Sequence, residues 1–233
     1  YDISADVLGY PESYYTPPSE AIKEIQIVRG AASLQYGTQF GGLINFIMKE
    51  PSNKKIELIT RNTVGSNKLY TNFTSLGGSA KKLSYYSYYN YKIGDGFREN
   101  SDYISNNFYI HLGYNISKKT KLTGEISYLK YLAHQAGGLS DRMFNLNPFQ
   151  SNRSRNWFGL DWFLFNMKLK HKFNDKSNLS LSFFGLDAER NSIGFRTNRV
   201  DQIDPFTERD LIKGNFNNHG IEIKFLNNYR VLN

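Results

Sequence analysis

Arginine is the residue type whose placement in this sequence most clearly suggests chemistry. Two long polar segments carry three each: Arg142, Arg153 and Arg155 in the first, and Arg190, Arg196 and Arg199 in the second. A guanidinium group presents a planar fork of N–H donors that binds carboxylate or phosphate oxygens in pairs. Several such groups converging on one spot could bind an anion that is dense in acceptor oxygens. The alternative is that they stay solvated, or pair with the acidic residues between positions 201 and 210.

Other groups that could do chemistry are sparse. The 233-residue chain has no cysteine, which excludes disulfide scaffolds, thiolate zinc sites and thiol catalysis. Its four histidines are scattered without the spacing of metal ligands: His111, His134, His171 and His219. No serine–histidine–aspartate or paired-carboxylate pattern stands out. We therefore predict no catalytic residue, no protein metal site and no cofactor.

Alternating patterns predict the strands that must position the arginines. From Lys54 onward, apolar residues recur at every second position, which places them on one face of a strand. In 157–173 the apolar phase changes, which predicts a β-bulge near Phe163. About eight strands are predicted, near 56–64, 69–76, 82–92, 106–116, 121–132, 157–173, 179–190 and 219–230.

The joints between these strands differ in length. Those near 77–81, 117–120 and 174–178 are short, and those near 93–105, 133–156 and 191–218 are long. Short and long joints that alternate are typical of outer-membrane barrels, whose two rims differ in this way. The joint at 65–68 is an exception, since it is short where the alternation requires a long one. A soluble β-sandwich remains the alternative, because its strands also alternate.

The first 50 residues have a different texture and indicate a mixed α/β region. Thr16 to Glu20 has the hydroxyl, prolines and acid of a helix start, so we predict a short helix that continues to Glu24. Strands are predicted at 25–28 and 43–48, and a second short helix at 31–36.

Composition excludes several classes of protein. Aromatic residues make up 15% of the chain while mean hydropathy is only −0.54. No apolar run approaches the ~20 residues of a membrane helix, and disordered chains are poor in aromatics. The net charge of +8 comes from basic residues dispersed over loops and turns, so we predict no nucleic-acid partner. Both ends lack the signals of a natural terminus, and we expect the sequence to be a piece of a longer protein.

The residues from Glu20 to Lys49 carry a family resemblance. The runs Glu20–Gly37 and Phe40–Lys49 resemble the closing half of the plug domain of TonB-dependent outer-membrane receptors, with Ala31 standing where the family usually has proline. Three shorter patches resemble the ferric-dicitrate (FecA-type) subfamily: Tyr14–Pro18, Gln39–Gly42 and the stretch 137–157.

The resemblance implies a fold and a division into domains. Residues 1–50 would be the C-terminal half of a plug domain. Residues 51–233 would be the N-terminal part, about eight strands, of a large antiparallel transmembrane β-barrel of the 22-strand type. The fold class expected is thus mostly β, with an α/β plug fragment and long extracellular loops near 93–105, 133–156 and 191–218.

The resemblance also implies a function. The chain would belong to a receptor in the outer membrane of a Gram-negative bacterium, without enzymatic activity, that takes up an anionic ferric chelate, ferric citrate being favoured. Its partners would be the chelate, the TonB–ExbB–ExbD energising complex, and the membrane with its lipopolysaccharide. Alternatives are another siderophore or a carbohydrate as cargo, or a small structural or adhesion barrel.

Residue roles follow from the same resemblance. The ligand-binding set would be Arg190, Arg196 and Arg199, together with Arg153, Arg155 and Gln39. Gln35 would lie near Gln39 at the apex of the plug. Arg29 would lock the plug to the barrel wall through carboxylates, for which Glu24 and Glu125 are candidates.

Overall fold

The computed structural model describes residues 14–30, 42–195, 197 and 199–229. A small antiparallel hairpin is formed by β1 (Ile22–Val28) and β2 (Leu43–Met48), and a 3₁₀ turn at Ser19–Ala21 precedes it. A large sheet contains the other eight strands: β3 (Glu57–Val64), β4 (Tyr70–Ala80), β5 (Leu83–Gly94), β6 (Tyr103–Asn115), β7 (Thr120–His134), β8 (Trp157–Lys172), β9 (Ser177–Ile193) and β10 (Ile212–Asn227).

The eight strands lie side by side in the order in which they occur in the sequence. Each pairs in antiparallel register with the next, from β3 at one edge to β10 at the other. In the described part of the chain β3 and β10 do not pair with each other, so the sheet is open. The prediction of a mostly β chain with about eight antiparallel strands is confirmed. The last two strands are longer than predicted, since β9 extends to Ile193 and β10 begins at Ile212.

The two ends of the sheet differ. The joints 81–82, 116–119 and 173–176 are tight and form what we call the turn end. The joints 65–69, 95–102, 135–156 and 194–211 form the loop end. One helix, α1 (Asp141–Leu146), lies within the longest of these loops and was not predicted from the sequence. Among the described residues no helix is both long enough and apolar enough to cross a membrane.

The two faces of the sheet have different surroundings. The covered face, which includes Tyr88 and Trp162, packs against the N-terminal segment, and these two side chains are 2% and 0% exposed. The open face includes Phe108, Leu112 and Phe183, which are 39%, 46% and 45% exposed. Because successive residues of a strand point to opposite faces, every strand contributes to both surfaces.

Two apolar clusters hold the N-terminal segment to the covered face. In the first, Ala21 is enclosed by aromatic rings of β4, β5 and β6. In the second, Tyr15 packs with side chains of β7, β8 and β9, among them Trp162 and Leu164. The hydroxyl of Tyr15 lies 3.0 Å from that of Tyr88, which links the two clusters. The segment is therefore an integral part of the core.

The predicted bulge near Phe163 is wrong. β8 pairs with β7 and with β9 over its whole length without a shift in register. The change of apolar phase has another cause. The first half of β8 buries Leu160, Trp162 and Leu164 against the N-terminal segment, whereas its second half turns Phe165 and Met167 to the open face.

The predicted helix up to Glu24 is also wrong. The chain makes a single 3₁₀ turn at Ser19–Ala21 and then enters β1 at Ile22. Pairing of Ile25 with Phe46, and of Ile27 with Ile44, outweighs the local helix-start signal. The strand predicted at 43–48 is confirmed, and the helix predicted at 31–36 lies outside the described residues.

Replacing the central tryptophan tests the covered-face core. Trp162→Ala removes a fully buried ring that packs on Tyr14 and Phe216. We expect it to lower the free energy of unfolding by about 3–5 kcal/mol. The matched control is Phe163→Ala, since the neighbouring ring points to the open face. Chemical unfolding of the intact protein provides the measurement, and equal losses for the two variants would contradict the assignment of faces.

Candidate functional site at the loop end

The loops at the loop end are fastened to one another by side chains that bind backbone carbonyls. Arg98 donates to the carbonyl oxygen of Gly137 at 2.6 Å and to that of Gln150 at 2.8 Å. Asn100 donates to the carbonyl oxygen of Asn156 at 3.2 Å. The loop 95–102 is thereby joined to both ends of the loop 135–156.

Arg153 fastens the second long loop to the third. Arg153 is buried, with only 5% of its surface exposed. The guanidinium donates to the carbonyl oxygen of Gln202 at 3.0 Å and to the hydroxyl of Thr197 at 3.2 Å. It also lies over the ring of Phe195, 5.0 Å from the centroid. Its guanidinium donors are thus engaged by the two loops.

A buried carboxylate forms a second connection between the same loops. Asp204 accepts a hydrogen bond from Arg155 at 2.8 Å and another from Arg209. It also accepts the amide N–H of Phe206 at 2.9 Å. We call this group the Asp204 latch. Arg155 stacks over the Phe206 ring at 4.9 Å, so the latch is covered on one side by an aromatic ring.

The latch keeps its carboxylate ionised. Burial acts to raise the pKa of Asp204, but the hydrogen bond from Arg155, that from the Phe206 amide, the Arg155 charge and the bond from Arg209 outweigh it and lower the pKa. Because the pKa of Asp204 is lower in the folded protein than in the unfolded chain, its ionised carboxylate stabilises the latch fully at pH values above the ordinary aspartate range. That contribution is lost as pH falls through the lowered value.

The remaining predicted ligand arginines lie in two different settings. Arg199 is exposed and pairs with Asp201 at 2.8 Å. Arg190 lies on the covered face, where its Nη1 is 3.1 Å from the Tyr14 hydroxyl and its guanidinium carbon is 5.9 Å from the Phe216 ring centroid. Arg196, Gln35 and Gln39 lie outside the described residues. The structure thus groups Arg153 with Arg155 in the loop contacts and keeps Arg190 apart from them, beneath the loops.

A cleft of about 580 Å³ lies between the N-terminal segment and strands β5 to β8. Its wall combines the aromatic rings of Tyr14, Tyr131 and Phe158 with the amides of Asn90 and Asn107. Lys92 also lines it, and the sequence analysis did not single this residue out. Lys92 follows Tyr88 and Asn90 at every second position of β5. The alternation of strand residues could therefore have placed this cation on the covered face.

Lys92 and Arg190 lie on one row of the covered face. In the cross-strand register Lys92 faces Ser105, and that row continues through Tyr131 and Leu160 to Arg190. Two cations therefore flank an aromatic and hydroxyl-bearing row at the loop end. This arrangement can bind an anion between the N-terminal segment and the sheet.

The predicted plug–barrel lock is not assembled from the residues named for it. Among the described residues Arg29 is exposed at the end of β1 and pairs with neither carboxylate. Glu24 accepts a hydrogen bond from Gln26 at 2.9 Å. Glu125 accepts one from Tyr109 at 2.9 Å and lies 3.1 Å from His111 Nδ1. Within the described part of the chain, no group of histidines and acids could hold a metal ion.

Neutralising Asp204 tests the latch. Asp204→Asn removes the charge that holds Arg155 and Arg209, so we expect trypsin to cleave the loop 194–211 several-fold faster. Wild-type cleavage should also accelerate as pH falls below the aspartate range, when measured with an acid-active protease. Asp201→Asn is the control, because its pair with Arg199 is exposed and such pairs contribute little. Equal protection of both variants would contradict the latch.

Comparison with solved structures identifies the fold. The chain superposes on the unliganded ferric citrate transporter FecA with a TM-score of 0.77 and 19% identity, covering 91% of this chain and 32% of FecA. For FpvA of P. aeruginosa bound to heterologous pyoverdines the TM-score is 0.74, with 13% identity and coverage of 91% and 30%.

The ferric-catecholate import receptor Fiu of E. coli K12 gives a TM-score of 0.69, with 11% identity and coverage of 91% and 37%. No protein-family model matches the sequence, and a search of curated proteins finds no match. The chain spans about a third of the length of these three proteins. At such identities the likeness establishes the fold alone, which this chain shares with about a third of each of these proteins.

Proposed function

We propose that this chain is part of a TonB-dependent outer-membrane receptor that takes up an anionic ferric chelate, ferric citrate being the favoured cargo. The observation that carries the proposal is a single-layer sheet with the receptor fold, covered on one face by an N-terminal segment and apolar on the other. In this proposal residues 1–50 are the second half of the plug. Residues 51–233 are the first strands of a barrel of the 22-strand type, without enzymatic activity.

The open face has the features of a lipid-facing wall. Four aromatic side chains lie directly opposite one another across its middle strands: Tyr89, Phe108, Tyr128 and Phe163. From Phe163 to Phe173 the chain advances about 33 Å at the usual strand rise, or about 25 Å when tilted as barrel strands are. An outward apolar band of about this height, bordered by aromatic girdles, is characteristic of outer-membrane barrels.

A polar row lies beyond the aromatic row, on the side of the loop end. Tyr91, Asn106, Lys130 and Asp161 lie opposite one another there, and the Tyr128 hydroxyl donates to Asp161 at 2.9 Å. Such a change from aromatic to polar residues suits the boundary between hydrocarbon and lipopolysaccharide. It supports an orientation in which the loops project outward from the cell.

The unpaired edges favour a large barrel over the small structural or adhesion barrel. Lipid offers no hydrogen bonds to an open strand edge, so each edge in a membrane needs a partner strand. In the described sheet β3 and β10 do not supply this to each other. On β10, Ile221 and Ile223 remain 75% and 67% exposed, as expected for a strand awaiting a neighbour.

The ligand set can be divided according to its contacts. Arg190 and Lys92, on the covered face, are proposed to bind the chelate beneath the loops, and Arg196, Arg199 and Gln39 are proposed to contact it from above. Arg153 and Arg155 are proposed to position the loops, because their donors already bind Gln202, Thr197 and Asp204. Charge-assisted hydrogen bonds of this kind are what an anion rich in carboxylates requires.

Passage of the cargo requires the plug to move. The packing of Tyr15 and Ala21 on the covered face blocks the space next to the sheet and contributes to the core. Work from the TonB–ExbB–ExbD complex would supply the energy needed to disrupt it. Arg29 with Glu24 is retained as the proposed lock, in which Arg29 would reach carboxylates elsewhere on the barrel wall.

Removal of the covered-face arginine tests the cargo assignment. Arg190→Gln should weaken ferric citrate binding by about tenfold to a hundredfold, the cost of one charge-assisted hydrogen bond. Calorimetry on the intact protein measures the affinity. The control is Arg142→Gln, an exposed arginine on α1 that should leave the affinity within twofold.

Two outcomes would count against this assignment. If Arg190→Gln bound ferric citrate as tightly as Arg142→Gln, Arg190 would not be a ligand. If the wild type bound another siderophore or a carbohydrate but not ferric citrate, the cargo would be one of those alternatives.

A further inference from the structure

The turn end of the covered face carries a concentration of lysines. A groove of about 400 Å³ lies between the turn 116–119 and the turn 173–176. Five lysines and one aspartate line it, which gives the groove a net charge of +4. The loop-end site described above lies at the opposite end of the same strands, so this groove is a separate feature.

Two of the lysines repel each other across the sheet. Lys121 on β7 and Lys170 on β8 lie directly opposite in the register, and Ser180 follows on β9 and Lys224 on β10. Like charges at directly opposed positions are destabilising. We call these four residues the lysine row. The opposed pair of Lys121 and Lys170 costs stability and has no ion pair among the described residues, which indicates a ligand of opposite charge.

The neighbouring acids do not neutralise Lys121 and Lys170. Asp175 pairs with Lys172 at 2.7 Å, and Glu222 pairs with Lys224 at 2.7 Å. Glu50, which is close enough to interact with Lys121, pairs with Lys23 at 2.6 Å. Among the described residues Lys121 and Lys170 have no ion pair. Their charges are therefore available to an anion that enters the groove.

A hydroxyl in the middle of the row also has no partner. Within the described part of the chain the Ser180 hydroxyl oxygen is buried and makes no hydrogen bond. It lies between Lys170 and Lys224 and lines the groove. A buried hydroxyl without a partner costs free energy that a bound acceptor would recover. The row thus offers ammonium and hydroxyl donors together, which suits oxygen-rich anions.

We propose that the lysine row is a second binding site for the anionic chelate, on the exit side of the barrel wall. The inference rests on the proposed function, which makes the covered face the wall of the transport path. From β7 to β10 the row spans about 14 Å, three strand spacings, so a chelate with several carboxylates can contact two or three donors at once. A ligand with a single negative charge would gain less, because it can neutralise only one lysine.

Lysine footprinting tests the site without relying on transport. Intact protein in detergent is treated with an amine-acylating reagent, with and without saturating ferric citrate, and modification is measured by mass spectrometry. We expect ferric citrate to protect Lys121 and Lys170 several-fold. Lys81 and Lys82, exposed in the neighbouring turn, are the internal control and should not be protected.

The same experiment on Arg190→Gln separates the two proposals. The variant is footprinted at ferric citrate concentrations above those that fill the loop-end site of the wild type. If the lysine row is still protected there, the result supports an independent second site. If the wild-type protein did not bind ferric citrate at the loop end, the proposed function would be refuted. The footprint would then decide by itself whether the lysine row binds the chelate. Absence of protection at Lys121 and Lys170, or protection by an acidic peptide but not by ferric citrate, would overturn the inference.

A paired substitution tests the consequence for uptake. Lys121→Gln with Lys170→Gln removes both charges and relieves their repulsion, so the variant should fold. Calorimetric binding at the loop end should stay within twofold, while uptake of radioactive ferric citrate by energised cells should fall about tenfold. Lys81→Gln with Lys82→Gln is the matched control. Equal uptake by the two double variants would contradict a role in transport.

Discussion

The architecture of this chain depends on the contact between a short N-terminal segment and one face of a single-layer sheet. Tyr15 and Ala21 are 5% and 0% exposed, and both are buried by side chains that come from the large sheet. A sheet with large apolar residues on one face must bury that face against another layer. Here the N-terminal segment that contains Tyr15 and Ala21 is that layer. The opposite face has no second layer in the described chain, and its apolar side chains are left partly exposed.

The loop end shows how one residue type serves two purposes. Arg153 and the Asp204 latch bind carbonyls, a hydroxyl and a carboxylate of neighbouring loops. Leaving such buried groups unpaired costs about 1–3 kcal/mol each, so a ligand could recruit these arginines only by disrupting the loops. Arg190 differs because it lies on strand β9, which positions its side chain rigidly. Above it are the loops that Arg153 and the Asp204 latch hold in place. A preorganised cation of this kind loses little entropy when an anion binds.

Sequence patterns were sufficient for the strands and insufficient for the site. Alternation of apolar residues predicted all eight strands of the large sheet, because apolar side chains at every second position lie on one face of a strand. The same rule failed at Phe163, because β8 buries its first half on one face and exposes apolar residues on the other in its second half. The loop contacts of Arg153 and Arg155 could not be predicted from the sequence, since their partners Gln202 and Asp204 come from a loop about fifty residues away. Lys92 could have been predicted from the sequence, because its position two residues after Asn90 on the same strand places it on the covered face.

The charges along the covered face bear on how a chelate would pass in the proposed function. The row of Lys92 and Arg190 and the lysine row are separated along β8 by the ten residues from Leu160 to Lys170, about 33 Å. This distance exceeds the screening length of about 10 Å at 0.1 M salt, so an anion held at one row does not sense the other. Between them Glu125 adds a carboxylate, engaged by Tyr109, His111 and Asn166, that repels an anion. In the proposed function, electrostatics alone would therefore not draw the chelate along the wall. Movement of the packed N-terminal segment would have to open the path, and the proposed transport would need an external source of energy for it.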